Sequence, residues 1–229
     1  FGHCEQIRLG LKGYSFFIND NKLKFVMARS WPQNAIEIET LKPIAFKKWS
    51  QVTITYDGKG AVGGIHLYLD GKKILVNRKG DELYKSILFE SDIHTYGFDG
   101  FRMGSRHKLK TFEKGGFDEL KIYDRELTAL EVAYLNDPGI FEQLSAADSS
   151  KEKRLFEEYF FKSIEPTGRA LNLEYLKLRK KLTKVINPIP ELMIMGDSKS
   201  PRPTYVLNRG AYDERGEEVF PNTPEVILE

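Results

Sequence analysis

The sequence predicts a mainly β chain: a two-layer antiparallel sandwich, followed by helices and an extended, proline-rich tail. Residues 49–56 and 65–69 alternate apolar and polar side chains, which is the period of two that gives a strand one buried face. Asp70-Gly71 separates the second strand from residues 72–76, and an Asp-Gly pair between such runs is a strong hairpin signal. Three short strands are not stable alone in water, so they predict a second layer.

Further strands are predicted on both sides of this hairpin. Residues 13–18 and 22–29 form a predicted pair joined by a polar turn, and residues 35–40 follow after a loop that contains Pro32. Residues 116–123 are the predicted last strand. The side chains predicted to share one core are Val52, Ile54, Leu67, Leu69, Leu120 and Ile122.

Helical patterns replace the strands from Thr128 onward. Thr128 and Glu131 have the spacing of a capping box, which predicts a short helix that ends before Pro138. Ser149 or Ser150 can cap a second helix that runs to about residue 164. This change of pattern predicts a domain boundary, with a first domain over 1–137, a linker over 138–148 and the start of a second domain over 149–229.

A third helix is predicted from Asn172 to the residues before Pro188. Its apolar stripe comprises Tyr175, Leu178, Leu182 and Val185, beside a run of lysine and arginine side chains. The stripe favours packing against a protein surface while the cations stay in water, so the basic run does not indicate nucleic acid. The prolines that punctuate the tail beyond this helix are Pro190, Pro201, Pro203, Pro221 and Pro224.

Composition narrows the class of protein. The 229 residues are 41% hydrophobic and 30% charged, which suits one or two globular domains. The formal net charge of +2 argues neither for nucleic acid nor for an acidic polymer, and no apolar run is long enough to span a membrane. We therefore expect no nucleic-acid partner and no membrane span. Cys4 is the single cysteine, which excludes an internal disulfide.

Three motifs carry a family resemblance. They are Trp49-x-x-Val52-x-x-Thr55-Tyr56-Asp57-Gly58, Leu67-Tyr68-Leu69-Asp70-Gly71, and the run from Phe117-Asp118-Glu119-Leu120 through Asp124-Arg125 to Thr128-x-x-Glu131. In this order they resemble the laminin-G-like, concanavalin-type jelly roll, and the resemblance covers roughly residues 1–137. The resemblance implies an antiparallel jelly-roll sandwich.

The tail has a narrower resemblance. Residues 189–195 (IPELMIM) and 201–213 (PRPTYVLNRGAYD) are similar to the beginning of the C-terminal domain of planctomycete cytochrome-associated proteins. Those are large exported proteins with a c-type haem module and domains of unassigned function. The haem motif Cys-x-x-Cys-His is absent here, and the strand that usually opens the jelly roll is not found ahead of Phe1. The resemblance implies an internal piece of an exported multidomain protein, at the cell surface or in the periplasm, with neighbouring domains as partners.

Catalysis by this fold would need paired carboxylates. Glu37 and Glu39 lie on one face of a predicted strand, where residues i and i+2 are roughly 6.5–7 Å apart. The family's hydrolases place a third carboxylate on this strand, and the sequence has none there. Alternating charges opposite a core face are typical of a solvated surface, so we predict no catalytic residue.

A binding site is predicted around Trp31. An aromatic ring in a loop can stack on a sugar while amide, guanidinium and carboxylate groups bond its hydroxyls. The candidate ligand-binding set is Arg29, Trp31, Asn34, Glu37, Glu39, Arg106 and His107. The alternatives are that Trp31 folds back over the edge of the sandwich and that His107 is simply solvated.

Calcium is the one cofactor that the resemblance implies for this segment. Hard cations bind clustered carboxylate and carbonyl oxygens, and the obvious acids are Asp57, Asp70 and Asp118. The alternative is that Asp57 and Asp70, which precede glycines, are turn residues.

Three functional hypotheses follow. The first hypothesis is that the chain is a non-catalytic recognition module that binds a glycan, within a protein linked to polysaccharide use. Alternatively, it belongs to an enzyme, glycoside-active or haem-linked, whose active site lies elsewhere in the parent protein. The third hypothesis is that the jelly roll is a scaffold for its neighbours. Fold alone does not choose among them.

Overall fold

The structure is a computed structural model that describes residues 2–4, 10–45, 47–89, 101–106, 110–113, 115–145, 150–192, 202–208 and 213–222. It divides into two compact units, Phe1–Ile189 and Pro190–Glu229. Among the described residues, the first unit contains the β-sandwich and four α-helices. In the second unit the described residues form one antiparallel hairpin.

The strands of the first unit, in chain order, are β1 (Gly2–Cys4), β2 (Gly13–Asn19), β3 (Lys22–Ser30), β4 (Asn34–Thr40), β5 (Val52–Tyr56), β6 (Ile65–Leu69), β7 (Lys72–Lys73), β8 (Val76–Glu82), β9 (Ser105–Arg106) and β10 (Lys110–Thr111). Its helices are α1 (Ala129–Asn136), α2 (Ile140–Ser145), α3 (Ser150–Tyr159) and α4 (Pro166–Ile186), with a π-helical segment, Phe160–Ile164, between α3 and α4. The hairpin of the second unit consists of β11 (Thr204–Leu207) and β12 (Arg215–Val219).

Two antiparallel sheets face each other across the core. One sheet has the strand order β1-β2-β3-β4-β8 and the other has the order β5-β6-β7, while β9 and β10 form a separate small pair. The buried side chains between the sheets include Leu23, Phe25, Ile36, Ile38, Ile65 and Leu67. The predicted fold class, antiparallel sheets followed by helices, is confirmed. β1, which the sequence pattern did not indicate, pairs with β2.

The Asp70-Gly71 turn joins β6 to β7 as predicted. Both residues have positive φ, 49° and 73°, which is the conformation that a two-residue hairpin turn of this type requires. β7 is only two residues long. The chain then crosses to the other sheet, where β8 pairs with β4 along the edge.

The prediction for residues 116–123 is wrong. They form no strand, and Leu120 and Ile122 are 49% and 77% exposed instead of facing a core. Alternating residues form a stable strand only when a neighbour satisfies their backbone groups, and no described strand pairs with this segment. Of the other four predicted core residues, Leu67 is fully buried, Ile54 and Leu69 are partly buried, and Val52 is exposed.

Helix α1 begins at the predicted capping box. The Thr128 hydroxyl accepts the Glu131 N–H at 3.3 Å, and a Glu131 carboxylate oxygen accepts the Thr128 N–H at 2.8 Å. Arg125 donates two hydrogen bonds to the same carboxylate, at 2.7 and 3.1 Å. Behind the cap, Leu127 and Val132 pack against Tyr68 on the outer face of β6.

We predict that Glu131→Gln lowers the free energy of unfolding by about 1 kcal/mol near neutral pH, because glutamine keeps the cap but loses the charge beside Arg125. Burial raises the pKa of Glu131, but the hydrogen bonds from Arg125 and Thr128 outweigh it and the pKa is lowered overall. A lowered pKa in the folded state contributes stability above the unfolded-state pKa that is lost as the pH falls. The difference between wild type and variant should therefore shrink toward acid in urea unfolding curves.

Glu119→Gln is the matched control for that measurement. Glu119 pairs with Lys121 at 3.0 Å, but its side chain is 76% exposed. Exposed ion pairs of this kind contribute about 0–1 kcal/mol, so the control substitution should change the free energy of unfolding very little. A Glu131→Gln difference that stays constant from acid to neutral pH would contradict the role assigned to the Glu131 charge.

Helix α4 packs against a glycine-containing loop of the sandwich. The Arg179 guanidinium donates to the Leu83 carbonyl at 2.6 Å and passes over Gly60, where a Cβ would clash with the guanidinium group. Gly60 has a φ of 84°, so glycine is favoured there by both space and backbone conformation. Beyond the helix, Asn187 accepts the Ser86 N–H at 3.2 Å.

These contacts explain how far the first compact unit extends. The predicted second domain begins at residue 149, whereas the first compact unit extends to Ile189 because α3 and α4 pack with the sandwich. The face of α4 that is partly buried contains Leu176, Arg179, Thr183 and Ile186. The predicted linker over 138–148 and the two domains that it separates stay predictions.

Candidate functional site

Trp31 lies in the turn between β3 and β4. Its backbone N–H donates to the Gly10 carbonyl at 2.7 Å, and its indole Nε1–H donates to Glu37 Oε2 at 3.0 Å. The residue is still 38% exposed. Trp31 is therefore an aromatic side chain that is fixed in orientation and remains accessible to a ligand.

Glu37 is buried on the face of the five-stranded sheet that points away from the sandwich core. Its Oε1 lies 2.7 Å from Lys24 Nζ, and the side chain is 4% exposed. Nearby on this face, Val26, Ala28 and Ala35 are buried with Leu11. The predicted solvated face is thus partly covered, which the alternation of charges alone could not reveal.

Glu39, two residues along the same strand, is less buried. Lys22 and Lys79 flank it at 3.8 and 3.7 Å, and its side chain is 20% exposed. Glu37 and Glu39 therefore both have lysine partners, and β4 carries no third carboxylate. The arrangement is that of an ion-pair network that supports the sheet and its turn.

The other predicted binding residues lie elsewhere or outside the described residues. Asn34 is fully buried, and its Oδ1 accepts the backbone N–H of Tyr84 at 3.1 Å, an arrangement that favours a structural role. Arg29 donates to the Ser86 carbonyl at 3.4 Å. Only the backbone of Arg106 is described, in β9, and His107 lies outside the described residues. The structure brings together Trp31 and Glu37, with Glu39 beside them.

Trp49 provides a useful contrast. It is 72% exposed, and its ring edge lies 2.9 Å from the position that a Cβ of Gly116 would occupy. Trp49 is more accessible than Trp31, and none of the hydrogen bonds of the described residues fixes its ring.

The three predicted calcium ligands do not form a site. Asp57 accepts the Lys59 N–H at 3.0 Å within its own turn, and Asp70 accepts the N–H of Gln51, which precedes β5, at 2.9 Å. Asp118 accepts the N–H of Glu119 at 2.8 Å within the exposed segment. In the described ranges, no three His, Cys, Asp or Glu residues are grouped so that they could hold a metal ion. Calcium binding by Asp57, Asp70 and Asp118 stays a prediction.

Sequence reasoning missed a basic cleft beside β6. Its volume is about 240 Å³, and its lining combines the apolar side chains of Ile65, Leu67 and Val76 with His66, Lys73 and Arg78. We call this feature the β6–β8 cleft. No motif marks it, because its three polar residues come from different strands and are separated by up to a dozen positions in the sequence.

The apolar stripe of α4 is exposed in the first unit. Leu178 and Val185 are 56% and 68% exposed, and Tyr175 and Leu182 are also exposed. Lys59 approaches the Tyr175 ring at 5.3 Å. The predicted packing of the stripe on a partner surface stays a prediction. None of the described helices has the length and apolarity needed to cross a membrane.

Comparison with known proteins gives a family match. The model of the family described as the concanavalin A-like lectin/glucanases superfamily matches residues 5–133. No curated protein matches the chain. A solved structure, residues 221–444 of an S-layer domain-containing protein from Clostridium thermocellum, is 22% identical over 58% of this chain and 60% of that one, with a TM-score of 0.28. A TM-score of this size carries no argument about fold or function.

Proposed function

The chain belongs to the concanavalin A-like lectin/glucanases superfamily, and from this premise we propose that its sandwich is a non-catalytic module that recognises a glycan. The proposed site centres on Trp31, with Glu37 and Glu39 beside it. The parent protein would be exported, multidomain and linked to polysaccharide use, as the resemblance of the jelly roll and tail to planctomycete cytochrome-associated proteins implies.

The main support for this proposal is that the Trp31 ring is both accessible and held in one orientation. A ring that stacks on a sugar needs an open face and a fixed orientation, because ordering a mobile side chain costs binding free energy. The hydrogen bond to Glu37 at 3.0 Å supplies the orientation, and exposure of 38% supplies the access. The ion pair between Glu37 and Lys24 fixes the acceptor in turn.

Scaffolding is the second candidate function. The contacts of α4 with the sandwich, through Arg179, Asn187 and their backbone partners, support it because they tie a following segment to the jelly roll. An active site elsewhere in the parent protein remains the third hypothesis. It predicts that neither glycan binding nor hydrolysis is found in this chain.

We predict that Trp31→Ala weakens glycan binding by about 1–3 kcal/mol, the effect expected of an aromatic residue at a binding hot spot. A glycan array on the whole chain identifies the ligand, and calorimetry then measures the affinity of each variant. Trp31→Phe separates the two roles of the ring, since phenylalanine keeps an aromatic face and loses only the hydrogen bond to Glu37.

Trp49→Ala is the matched control, because it removes an exposed tryptophan from a different part of the chain. We expect it to leave the affinity unchanged. If the two alanine variants bind equally well and both are folded, Trp31 is not part of a glycan site. An array without any ligand would favour the scaffold.

A further inference from the structure

The β6–β8 cleft has a charge distribution that the proposed glycan site does not explain. Lys73 and Arg78 lie in its wall with His66, and none of the lining residues is acidic. Trp31 is not among the residues that line it. The cleft therefore calls for a separate explanation.

The two cations of the cleft have no direct carboxylate partner, although Glu158 and Glu126 act on Lys73 from a distance. Among the described residues, neither Lys73 nor Arg78 forms an ion pair with a carboxylate. Lys162, which lies near His66, is different: it pairs with Glu126 at 3.1 Å and with Glu158 at 2.9 Å. Glu126 and Glu158 thus form their ion pairs with Lys162. On Lys73 they only oppose the lowering of its pKa by burial, so Lys73 and Arg78 still present positive charge to an anion.

His66 adds a third group suited to an anion. Its Nδ1 is buried and has no hydrogen-bond partner in the described part of the chain. Burial lowers the pKa of His66. The positive charges of Lys73, Lys162 and Arg78 lower this pKa further, whereas the negative charge of Glu158 raises it. A buried ring nitrogen without a partner costs free energy, which a ligand can recover by accepting a hydrogen bond from the protonated ring.

We propose that the β6–β8 cleft binds a tetrahedral oxyanion, sulfate or phosphate, through Lys73, Arg78 and His66. Arginine and lysine are the side chains that bind such groups best, by charge-assisted hydrogen bonds. A volume of about 240 Å³ is below the range of drug-sized pockets, about 300–1,000 Å³, and suits one small group.

Binding should depend on pH through His66. The neutral ring predominates in the free protein because its surroundings lower its pKa, and a bound dianion reverses part of that effect. Anion affinity should therefore rise as the pH falls. Sulfate is the better probe for this measurement, because its own charge does not change near neutral pH whereas that of phosphate does.

The test follows the imidazole signal of His66 by NMR during a sulfate titration of the whole chain, with sodium chloride adjusted to hold ionic strength constant. The chain has four histidines, and His66→Gln identifies the signal. We expect a saturable shift and a higher pKa of His66 with sulfate bound. Lys73→Met and Arg78→Met should each weaken binding about tenfold, and Arg78→Lys should retain most of it.

Lys72→Met is the matched control, since Lys72 neighbours Lys73 on β7 and does not line the cleft. A His66 signal that does not change with sulfate overturns the proposal. Equal loss of sulfate affinity in Lys72→Met and Lys73→Met also overturns it, because it would show a general effect of net charge. If Lys73→Met fails to fold, the comparison of Arg78→Met with Arg78→Lys decides. These outcomes are independent of glycan binding, which the Trp31 variants measure.

A second titration distinguishes the source of the group. Inorganic phosphate and glucose 6-phosphate are compared at one pH, with the His66 signal as readout. Tighter binding of the ester indicates an oxyanion carried on a larger molecule, and tighter binding of the inorganic ion indicates a free ion. Both results support the oxyanion site, while a response to neither overturns it.

Discussion

Leu67→Ala should lower the free energy of unfolding by about 2–5 kcal/mol, the range for large-to-small changes in a packed core. Leu67 is 1% exposed and packs in the cluster between the two sheets. Deleting its side chain removes buried apolar surface and leaves a cavity that the flanking strands can only partly close. Urea denaturation measures the change as a lower midpoint with a similar slope.

Ile122→Ala is the matched control for Leu67→Ala. The same alternation rule predicted both residues to be in the core, yet Ile122 is 77% exposed. We expect a change within about 0.5 kcal/mol, as for ordinary surface substitutions. Equal losses for the two variants would mean that residues 116–123 are packed in a core, and the corrected assignment of that segment would itself be wrong.

The contrast between these two residues shows what the sequence pattern can predict. Alternation and the Asp70-Gly71 turn are local signals, and β5, β6 and β7 form where they indicate. Whether an alternating segment becomes a strand depends on a partner distant in the chain. Residues 116–123 have the pattern without a described partner, so the pattern predicts a strand that the structure does not contain.

The candidate site was predictable only in part, for the same reason. The exposed Trp31 loop was visible from Pro32 and the flanking strands. The burial of Glu37 was not visible, because it depends on the Trp31 turn and on the packing of Leu11 over the sheet. The β6–β8 cleft depends on the chain crossing between sheets after β7, which no pattern in the sequence indicated.

Lys24→Met should also be strongly destabilising, by about 3 kcal/mol, because breaking a buried ion pair leaves a charge without its partner. Glu37 is 4% exposed and lies 2.7 Å from Lys24 Nζ, while the lysine side chain is 22% exposed. That residual exposure places the expected loss at the lower end of the range of about 3–5 kcal/mol for buried pairs. Thermal or urea unfolding provides the measurement.

Lys79→Met is its matched control on the same face of the sheet. Lys79 lies 3.7 Å from Glu39, and their side chains are 55% and 20% exposed. A pair so accessible to water should contribute at most about 1 kcal/mol. Similar losses for both lysine variants would indicate that the net charge of this face matters more than the burial of Glu37.

The double variant Lys24→Met/Glu37→Leu separates the cost of an unpaired charge from the loss of an attractive pair. If the single variant is unstable because Glu37 stays charged and buried, replacing both residues by apolar ones should recover most of the loss. The Trp31 indole then loses its acceptor, but the ring is 38% exposed and water can replace Glu37. A double variant that is stable yet no longer binds glycan would separate the role of Glu37 in stability from its role in the glycan site. A double variant as unstable as Lys24→Met would instead show that Lys24 stabilises the sheet through its packing and not through its charge.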